Sequence, residues 1–398
     1  MKNIKTQVAI IGSGPSGLLL GQLLAKQNID NIIIERTSKE HILSRIRAGV
    51  LETGAVNLVR EAGVSHNIDK YGIPHHAVEI AINDERVKIE LTKLTGGDSV
   101  VIYGQVNLTE DLMNGREGTN LETVYLAQNV KPNEVTSEIP YVTYSKDGID
   151  YRLECDYIAG CDGYHGVSRH TIPQSAKKEY EKTYPFGWLG LLSETPPAND
   201  ELIYCNSDRG FALCSMRSAT RSRYYIQVSD TDKVENWSDD AFWEELSRRI
   251  PESIANNLIT GPSIEKSIAP LRSFICEPLQ YGKLFLVGDA GHIVPPTGAK
   301  GLNLAASDVA VLYQVLTKVY REGDKKCIER YSDVALRRVW NASRFSWWMT
   351  NMTHDFRDNM DEFNQKITLS EIKYFLNSEA GRKIIAQQYV GLAYENIE

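Results

Sequence analysis

The chain has 398 residues, of which 42% are apolar and 24% are charged. This composition is typical of a globular protein of two or three domains, and it excludes a disordered tail, a collagen and a coiled-coil rod. The formal net charge of −8 argues against nucleic acid as the main partner, because an acidic protein repels phosphate backbones.

The sequence gives no sign of a membrane or secreted protein. No apolar run approaches the roughly 18 residues that a membrane span requires, and the short polar start from Met1 to Gln7 lacks the features of a signal peptide. The six cysteines include no C-x-x-C pair, which argues against a zinc or dithiol site. We therefore expect a cytoplasmic protein with reduced, mostly buried thiols and no metal.

The N-terminal part of the chain predicts alternating strands and helices. Thr6 to Ile11 is β-prone, Pro15 to Gln27 has the leucine spacing of a buried helix, and Ile32 to Ile34 is an apolar strand. A helical stretch with several arginines follows from about Ser38 to Glu61. The first 35 residues therefore predict a βαβ unit.

The middle of the chain predicts mostly β-structure. Short β-prone runs alternate with turn signals from Val78 to Val106 and from Thr123 to Tyr157. Leu202 to Val228 is β-patterned and is broken by two turns, which predicts antiparallel hairpins. Lys283 to Val287 is a second buried-type strand.

The C-terminal part of the chain predicts long helices. They run from Leu302 to Glu322, from Glu329 to Trp348 and from Leu369 to Tyr389. No linker rich in Pro, Gly or Ser cuts the chain, so we expect a second domain to be interleaved with the first. The clustered Phe345, Trp347 and Trp348 are expected in the core, with a subunit interface as the alternative.

The strongest local motif is Gly12-x-Gly14-x-x-Gly17, with Glu35 at the end of the next strand. The first glycine allows a tight turn, the second lets the backbone approach a pyrophosphate, and the third lets helix and strand pack closely. The following helix directs unpaired N–H groups at phosphates, and Glu35 is placed to bind a ribose diol. The motif predicts a bound dinucleotide but does not separate FAD from NAD.

Two later motifs favour a flavin. Asp162-Gly163 follows a transition from an apolar run to a turn, and Gly288-Asp289-Ala290 follows a buried strand. An aspartate at the mouth of a parallel-sheet strand is placed to bind a polyol chain such as the ribityl group of a flavin. In this order, the three motifs resemble the aromatic-hydroxylase class of flavoprotein monooxygenases.

Further blocks along the whole chain narrow the resemblance to the 4-hydroxybenzoate 3-monooxygenases, or p-hydroxybenzoate hydroxylases, within that family. The blocks are Gly12 to Leu20, Arg45 to Leu51, Tyr157 to Gly163, Ser218 to Tyr225, Pro295 to Asn303 and Tyr389 to Leu392. The resemblance implies an FAD enzyme that uses NADPH or NADH and O₂ to convert 4-hydroxybenzoate to 3,4-dihydroxybenzoate during aromatic catabolism. It also implies a homodimer.

The expected fold class is α/β, with a Rossmann-like FAD-binding βαβ domain, an interleaved antiparallel β-sheet substrate domain and C-terminal helices. FAD-binding parts are expected at residues 1–75, 106–180 and 273–350, substrate-domain parts at 76–105 and 181–272, and a helical region at 351–398.

The expected substrate site binds a carboxylate at one end. Alternation along the strands places Ser215 and Arg217 on one face, and Arg223 and Tyr225 on one face of the neighbouring strand. By resemblance, Ser215, Arg217 and Tyr225 bind the carboxylate, for which an arginine fork supplies two parallel charged hydrogen bonds. Arg223 is expected to stabilise reduced flavin rather than substrate.

At the other end of the substrate, the phenol must lose its proton before an electrophilic hydroxylation. The resemblance assigns this step to a relay of Tyr204 and Tyr389 that ends at His75, near solvent. Pro296 matches a residue whose backbone carbonyl meets the phenol.

The remaining matches concern the two cofactors. Flavin contacts are expected from Gly12, Gly14, Ser16, Gly17, Glu35, Arg45, Arg47, Gln105, Asp162, Arg223, Asp289, Gly298, Leu302 and Asn303. The nicotinamide donor is expected to dock transiently near Arg36, His41, Arg45, His165 and Arg272. Thr37 replaces the usual Gln and His41 the Tyr of the NADPH-preferring type, so NADH and NADPH both stay open.

Two alternatives remain at this point. One is a related FAD hydroxylase for another phenolic acid, such as salicylate or 3-hydroxybenzoate. The other is a non-catalytic, flavin-binding sensor, which would show no substrate-stimulated oxidation of NADH or NADPH.

Overall fold

The fold is seen in a computed structural model, which describes residues 1–44, 49–356 and 361–397. The strands of these residues are β1 (Lys2–Lys5), β2 (Val8–Ile11), β3 (Asn31–Ile34), β4 (Val50–Glu52), β5 (Ile73–His75), β6 (Ala77–Ile82), β7 (Glu85–Glu90), β8 (Val100–Ile102), β9 (Thr123–Val124), β10 (Gln128–Asn133), β11 (Tyr141–Lys146), β12 (Ile149–Glu154), β13 (Tyr157–Gly160), β14 (Lys178–Ser193), β15 (Ile203–Ser207), β16 (Gly210–Ser218), β17 (Arg221–Ser229), β18 (Ser263–Glu277), β19 (Gln280–Tyr281), β20 (Leu284–Leu286) and β21 (His292–Ile293).

The α-helices lie between and after these strands. They are α1 (Pro15–Lys26), α2 (Lys39–Leu43), α3 (Thr53–Glu61), α4 (His66–Tyr71), α5 (Leu91–Thr95), α6 (Gln105–Glu117), α7 (Ser168–Thr171), α8 (Asp239–Ser247), α9 (Glu252–Ala255), α10 (Gly301–Thr317), α11 (Tyr331–Thr353), α12 (Glu362–Asn377) and α13 (Glu379–Val390).

The first large sheet has the strand order β19-β20-β13-β2-β3-β9 and is parallel except for the β19–β20 pair. All four residues of β2 and of β13 are buried, as expected for parallel strands with both faces covered. The βαβ unit of β2, α1 and β3 is therefore confirmed. Because β2, β13 and β20 run in the same direction, the segments after them meet at one edge of the sheet.

The second large sheet has the order β21-β18-β14-β17-β16-β15-β6-β7. The predicted hairpins of β15, β16 and β17 are confirmed as antiparallel neighbours in its interior. One face packs against α8 through residues such as Tyr224 and Trp243. The other face packs against α11 and α13 and carries Tyr204, Phe211 and Trp188.

Two smaller sheets complete the β-structure of the described residues. One has the order β4-β8-β5, and the other β1-β12-β11-β10. The predicted α/β class is confirmed. The two large sheets are interleaved as expected, since their strands alternate along the chain. Among the described residues, no helix is long and apolar enough to cross a membrane.

Two sequence predictions need correction. The stretch from Ser38 to Glu61 is not one helix, because strand β4 separates α2 from α3 and pairs with β8. The tail from Leu369 to Tyr389 is not one helix either. It breaks at Ser378, whose extended backbone ends α12 and whose side chain accepts a hydrogen bond from the N–H of Gly381 to cap α13. Such a cap favours a new helix start over continuation.

Candidate active site

The glycine motif forms the turn from β2 into α1. Gly12 has a φ of +101°, and a Cβ at this position would lie 2.4 Å from the carbonyl oxygen of Cys161, the residue directly after the adjacent strand β13. A Cβ at Gly17 would lie 2.0 Å from the oxygen of Gly12. Gly14, in contrast, has open space on its Cβ side and stands directly before α1, with no side chain capping the helix. The turn thus leaves room where helix N–H groups face outward, beside Ser16.

Glu35 is turned back towards this loop. One carboxylate oxygen accepts the backbone N–H of Ser13 at 2.9 Å, and the other accepts the N–H of Thr37 at 2.8 Å and its hydroxyl at 2.7 Å. These bonds fix the acidic side chain at the edge where β2 and β3 end. The spacing in the sequence places Glu35 there because parallel neighbours end together.

Asp162 and Asp289 follow two further strands at the same edge. Asp162 accepts the backbone N–H of Ser168 at 2.9 Å and its hydroxyl at 3.0 Å through one oxygen. Its other oxygen, Oδ1, is buried and has no partner among the described residues. Burial raises the pKa of this carboxyl. Asp289 is exposed in the short turn Gly288–Ala290.

A buried histidine and a buried carboxylate lie next to that turn, and the carboxylate accepts a hydrogen bond from its backbone. Asp308 Oδ2 accepts the backbone N–H of Gly288 at 2.8 Å and lies 2.6 Å from Nε2 of His292. Burial lowers the pKa of His292, but the facing Asp308 outweighs it, and the pKa lies above its ordinary value. Sequence reasoning missed this pair because the two residues stand on a strand and a helix 16 positions apart.

The structure describes four more of the predicted flavin residues. Asn303, in the first turn of α10, is buried; its amide N–H groups donate to the carbonyls of Val50 and Ala299, and its oxygen accepts the N–H of Glu52. Gln105 begins α6, and Gly298 ends the short turn Pro296–Gly298. Leu302 packs against the core. Arg45 and Arg47 lie outside the described residues.

The predicted substrate residues share one face of the second large sheet. Tyr204 pairs with Leu213, and Leu213 pairs with Tyr225, so the three form a row across β15, β16 and β17. The next row pairs Ser215 with Arg223. Directly opposed residues of an antiparallel pair point to the same side. Both predicted ends of the substrate site are therefore on the same side of the sheet.

Arg217 sits where the register between β16 and β17 shifts, between Met216 and Ser218. The irregularity departs from the strict alternation used in the sequence prediction. Its Nη1 is buried and has no hydrogen-bond partner among the described residues. Burial lowers the pKa of this guanidinium, the nearby Tyr225 raises it, and the positive charge of Arg223 lowers it, with a net lowering. A charged donor without an acceptor is the local feature expected of an anion site.

Arg223 already has a partner. Its Nη1 and Nη2 lie 2.9 Å and 3.2 Å from the two carboxylate oxygens of Glu265. Burial lowers the pKa of Arg223, and Tyr225 and Glu265 raise it to a net value above the ordinary one. Sequence reasoning missed Glu265 in this role, because it lies on β18, two strands away from β17 in the sheet.

At the other end, the hydroxyl oxygens of Tyr204 and Tyr389 lie 3.1 Å apart. Burial raises the pKa of Tyr204 well above its ordinary value, and Tyr389 and Tyr225 add to the effect. Burial also raises the pKa of Tyr389, to about 12, against a lowering by its hydrogen bond with Tyr204. Both phenols are therefore neutral near pH 7 and are able to donate and accept hydrogen bonds.

A buried ionic cluster, missed by the sequence analysis, holds the backbone of Tyr389. Lys300 Nζ lies 2.7 Å from Glu52 Oε1 and donates to the carbonyl of Tyr389 at 3.0 Å. Arg338 lies 2.8 Å from Glu52 Oε2 and donates to the carbonyl of Leu392. Burial lowers the pKa of Lys300, and Glu52 partly offsets it. The only signal in the sequence is Lys300, inside the Pro295 to Asn303 block.

His75 is buried at the end of β5, with Nδ1 3.0 Å from Glu201 Oε2. No hydrogen bond joins it to Tyr389 among the described residues. Val100, which pairs with His75 on the neighbouring strand, belongs to the same apolar cluster as Tyr389. Pro296 is exposed, at the start of the turn that precedes α10.

The predicted nicotinamide residues fall into two groups. In one group, His165 and Arg272 both contact Tyr164. The ring centroids of His165 and Tyr164 lie 5.0 Å apart, and the guanidinium carbon of Arg272 lies 4.1 Å from the centroid of the Tyr164 ring. Arg36 and His41 are exposed on the segment after β3. The described residues contain no group of three or more His, Cys, Asp or Glu side chains that would hold a metal ion.

These residues fit FAD. The open space beside Gly14, the free start of α1 and the fixed Glu35 suit a dinucleotide. The buried, unpartnered Asp162 Oδ1 suits a hydroxyl donor at the same edge. The site therefore suits a dinucleotide that carries a polyol chain.

Comparison with known proteins agrees with this fit. Residues 5–346 match the family described as FAD binding domain. The chain is 55% identical over 395 residues to p-hydroxybenzoate hydroxylase of Acinetobacter baylyi, covering 99% of this chain and 97% of that protein. It is 20% identical over 312 residues to a 3-(3-hydroxy-phenyl)propionate/3-hydroxycinnamic acid hydroxylase of Escherichia coli, covering 77% of this chain and 54% of that protein.

Solved structures show the same fold at low identity. The p-nitrophenol 4-monooxygenase of Pseudomonas putida superposes with a TM-score of 0.82 at 15% identity, covering 98% of this chain and 99% of that one. An FAD-dependent monooxygenase of Pseudomonas aeruginosa, described as probable, has a TM-score of 0.74 at 18% identity, covering 88% of this chain and 97% of that one.

Proposed function

The chain belongs to the p-hydroxybenzoate hydroxylase family of FAD-dependent aromatic hydroxylases, and from this membership we propose that its substrate is 4-hydroxybenzoate. The proposed product is 3,4-dihydroxybenzoate, formed with O₂ and NADH or NADPH in the degradation of aromatic compounds. The observation that carries the proposal is the unpartnered Nη1 of Arg217 near Tyr225, which lies in the same strand row as Tyr204 of the Tyr204–Tyr389 pair.

FAD would be held by the Gly12 to Gly17 turn, Glu35, Asp162 and the turn around Asp289. When bound and reduced by a nicotinamide, it supplies the activation of O₂ that hydroxylation requires. The start of α10, with Asn303, adds a partial positive charge at the same edge. Gln105, Gly298 and Leu302 are proposed as further flavin contacts.

The carboxylate end of the substrate would bind Arg217, Ser215 and Tyr225. Arg217 Nη1 supplies a charged hydrogen bond that the protein itself leaves unused. Ser215 is buried in the neighbouring row, and Tyr225 is close to Arg217. Arg223 is engaged with Glu265, which supports a role other than substrate binding, such as stabilising reduced flavin.

The phenol end would lie at Tyr204. A phenol with a pKa near 10 must be brought to ionise near pH 7, which corresponds to about 3 pKa units or roughly 4 kcal/mol. A hydrogen bond donated by Tyr204 stabilises the phenolate, and Tyr389 continues the path for the proton towards His75. Pro296 is proposed to contact the phenol through its carbonyl.

The nicotinamide donor is proposed to dock between Arg36 and His41 on one side and His165 and Arg272 on the other. Both groups are cationic or polar and at least partly exposed, which suits a transient anionic partner. Thr37, which stands where NADPH-preferring relatives have Gln, is bound to Glu35. Steady-state rates with NADH and with NADPH decide which donor is preferred.

We also propose a cytoplasmic homodimer. The support is a set of exposed apolar side chains on α11 and α12, where Trp340, Trp347, Phe363, Ile367 and Tyr374 are 42% to 72% exposed. A contiguous exposed apolar patch is a feature of interaction surfaces. Phe345, by contrast, is in the core, so the expected aromatic cluster divides between the two environments. Sedimentation of the holoenzyme measures the oligomeric state.

The test of the substrate is an oxidation assay with the yellow holoenzyme. NADH or NADPH consumption is measured with 4-hydroxybenzoate, salicylate, 3-hydroxybenzoate or no aromatic acid. We expect strong stimulation by 4-hydroxybenzoate together with formation of the dihydroxy product. Greater turnover of another phenolic acid would assign the enzyme to that substrate, and no stimulation by any of them would indicate the flavin-binding sensor.

A further inference from the structure

His75 is held on one ring nitrogen and free on the other. The side chain is 3% exposed, and Nδ1 lies 3.0 Å from Glu201 Oε2. Nε2 is buried without a hydrogen-bond partner among the described residues. A carboxylate next to Nδ1 places the proton on that nitrogen in the neutral ring. Nε2 is then a proton acceptor inside the protein.

The Glu201 carboxylate lies between His75 and Lys88, in a row of three polar groups that runs from the interior to the surface. Glu201 Oε1 lies 3.3 Å from Lys88 Nζ on β7. The exposed fraction of the side chain rises from 3% for His75 to 15% for Glu201 and 54% for Lys88. The three groups therefore connect a buried acceptor with solvent.

The charges around His75 act in opposite directions. Burial lowers the pKa of its imidazole most strongly, Glu201 raises it, and the neighbouring His76 lowers it, with a net lowering. Lys88 faces the same carboxylate from β7. On β8 the residue opposite His75 is the apolar Val100. Glu201 is thus the group that keeps His75 able to accept a proton.

Glu201 is also joined to the proposed phenol site through the backbone. It lies three residues before Tyr204 in a segment that continues as β15. The N–H of Glu79 donates to the carbonyl of Leu202 at 2.9 Å, and Ile203 pairs with Glu79. The same short segment, paired with β6 at Leu202 and Ile203, thus carries both Glu201 and Tyr204.

We propose that Glu201 is the positioning residue of His75, and that His75, Glu201 and Lys88 form the outlet through which the substrate's phenol proton leaves the protein. This rests on the proposed function for the identity of the proton donor. Glu201 acts through His75 and does not touch the substrate.

The proton balance of this outlet is simple. When 4-hydroxybenzoate ionises, one O–H bond breaks on the phenol and one N–H bond forms at Nε2 of His75, with the tyrosines exchanging protons in between. The resulting imidazolium faces Glu201, and its Nδ1 proton passes over that carboxylate to water. One proton is released for each ligand bound, and the reverse passage restores the original tautomer when the ligand dissociates.

The first experiment measures His75 itself. Nitrogen NMR of ¹⁵N-histidine holoenzyme, assigned with His75→Asn, reports its tautomer and its pKa without any substrate. In Glu201→Gln we expect the pKa of His75 to fall by about one unit or more, because a facing charge is removed. In Lys88→Met, at an exposed position, we expect a smaller rise. Glu79→Gln, which breaks the pair with Arg86 but does not contact His75, is the matched control and leaves the signal unchanged.

The second experiment measures proton release by stopped flow with a pH indicator when the holoenzyme binds 4-hydroxybenzoate. We expect Glu201→Gln to slow release about tenfold or more while FAD content and ligand affinity stay near wild type. A His75 titration unchanged in both Glu201→Gln and Lys88→Met would overturn the positioning role. If proton release is slowed in His75→Asn but keeps its wild-type rate in Glu201→Gln, Glu201 is not part of the outlet, and that part of the proposal is overturned. If the wild-type enzyme binds no 4-hydroxybenzoate, the proposed function and the outlet both fail, and the NMR titration still decides the positioning role.

Discussion

The hydroxyl groups of Tyr204 and Tyr389 lie 3.1 Å apart although the residues are separated by 185 positions in the sequence. Tyr204 stands on an interior strand of the second large sheet, and Tyr389 stands near the end of α13. Each phenol is almost fully buried, so the pair is a polar contact inside an apolar cluster. Burying such a pair costs free energy unless both hydroxyl groups are hydrogen-bonded. The phenol of the proposed substrate, bound next to Tyr204, would complete the proton path.

The first prediction concerns this pair. We expect Tyr204→Phe to lower the yield of hydroxylated product per nicotinamide oxidised, and to slow hydroxylation about 10²-fold or more, because the proton path is lost. Product is measured by chromatography and flavin reduction by stopped flow. Tyr224→Phe, on the opposite face of the same sheet and bound to the carbonyl of Pro196, is the control. Normal coupling in Tyr204→Phe would contradict the relay.

The second prediction concerns Arg217. Removing one partner of a buried charged hydrogen bond costs roughly 2–5 kcal/mol, so Arg217→Ala is expected to raise the Kd for 4-hydroxybenzoate by about thirty-fold to several thousand-fold. Ligand titration of the flavin fluorescence measures the Kd. Arg221→Ala, which removes an exposed partner of Glu194, should change it by less than about twofold. Equal effects in the two variants would argue against a carboxylate site at Arg217.

The third prediction concerns the C-terminal segment beside the ionic cluster. Gly391 has a φ of +88°, and a Cβ there would lie 1.9 Å from Glu52 Oε2. We expect Gly391→Ala to lower the free energy of unfolding by about 3 kcal/mol or more, from backbone strain together with overpacking. Gly323→Ala, with a φ of +75° and open space, should cost only about 1–2 kcal/mol. Urea titration of both variants separates the two contributions, and equal losses would mean that Gly391 does not pack on Glu52.

The fourth prediction concerns pH and the His292–Asp308 pair. Because the folded pKa of His292 is raised, its contribution to stability is complete below the ordinary imidazole pKa of about 6.5 and is lost as the pH rises through the higher folded value. The Tm difference between wild type and His292→Gln should therefore shrink as the pH increases from 6 to 9. A difference that grows with pH would reverse the sign of the shift. His170→Gln, at an exposed position, is the control.

The sequence predicts the parts of the structure that depend on local pattern. The turn at Gly12, the strand before it and the helix after it follow from glycine spacing and apolar periodicity. The meeting of Glu35, Asp162 and Asp289 at one edge follows from the common direction of β2, β3, β13 and β20. The shared face of Tyr204, Ser215 and Tyr225 needs the hairpin register as well, which two turns set approximately.

The remaining features depend on contacts between distant residues. Glu52 and Lys300 are 248 positions apart, and His75 and Glu201 are 126 apart. Nothing in the local sequence distinguishes such charged residues from those on a solvated surface, because burial is decided by tertiary packing. The strand β4 inside an apparently helical stretch has the same origin, since its pairing with β8 overrides local propensity.

The central claim is tested most directly by following oxygen from ¹⁸O₂ into the product. The holoenzyme is incubated with 4-hydroxybenzoate, NADH or NADPH and ¹⁸O₂, and the aromatic products are identified by mass spectrometry. The proposed function predicts 3,4-dihydroxybenzoate with one ¹⁸O atom per molecule. Nicotinamide oxidation that yields hydrogen peroxide and unchanged 4-hydroxybenzoate would contradict it.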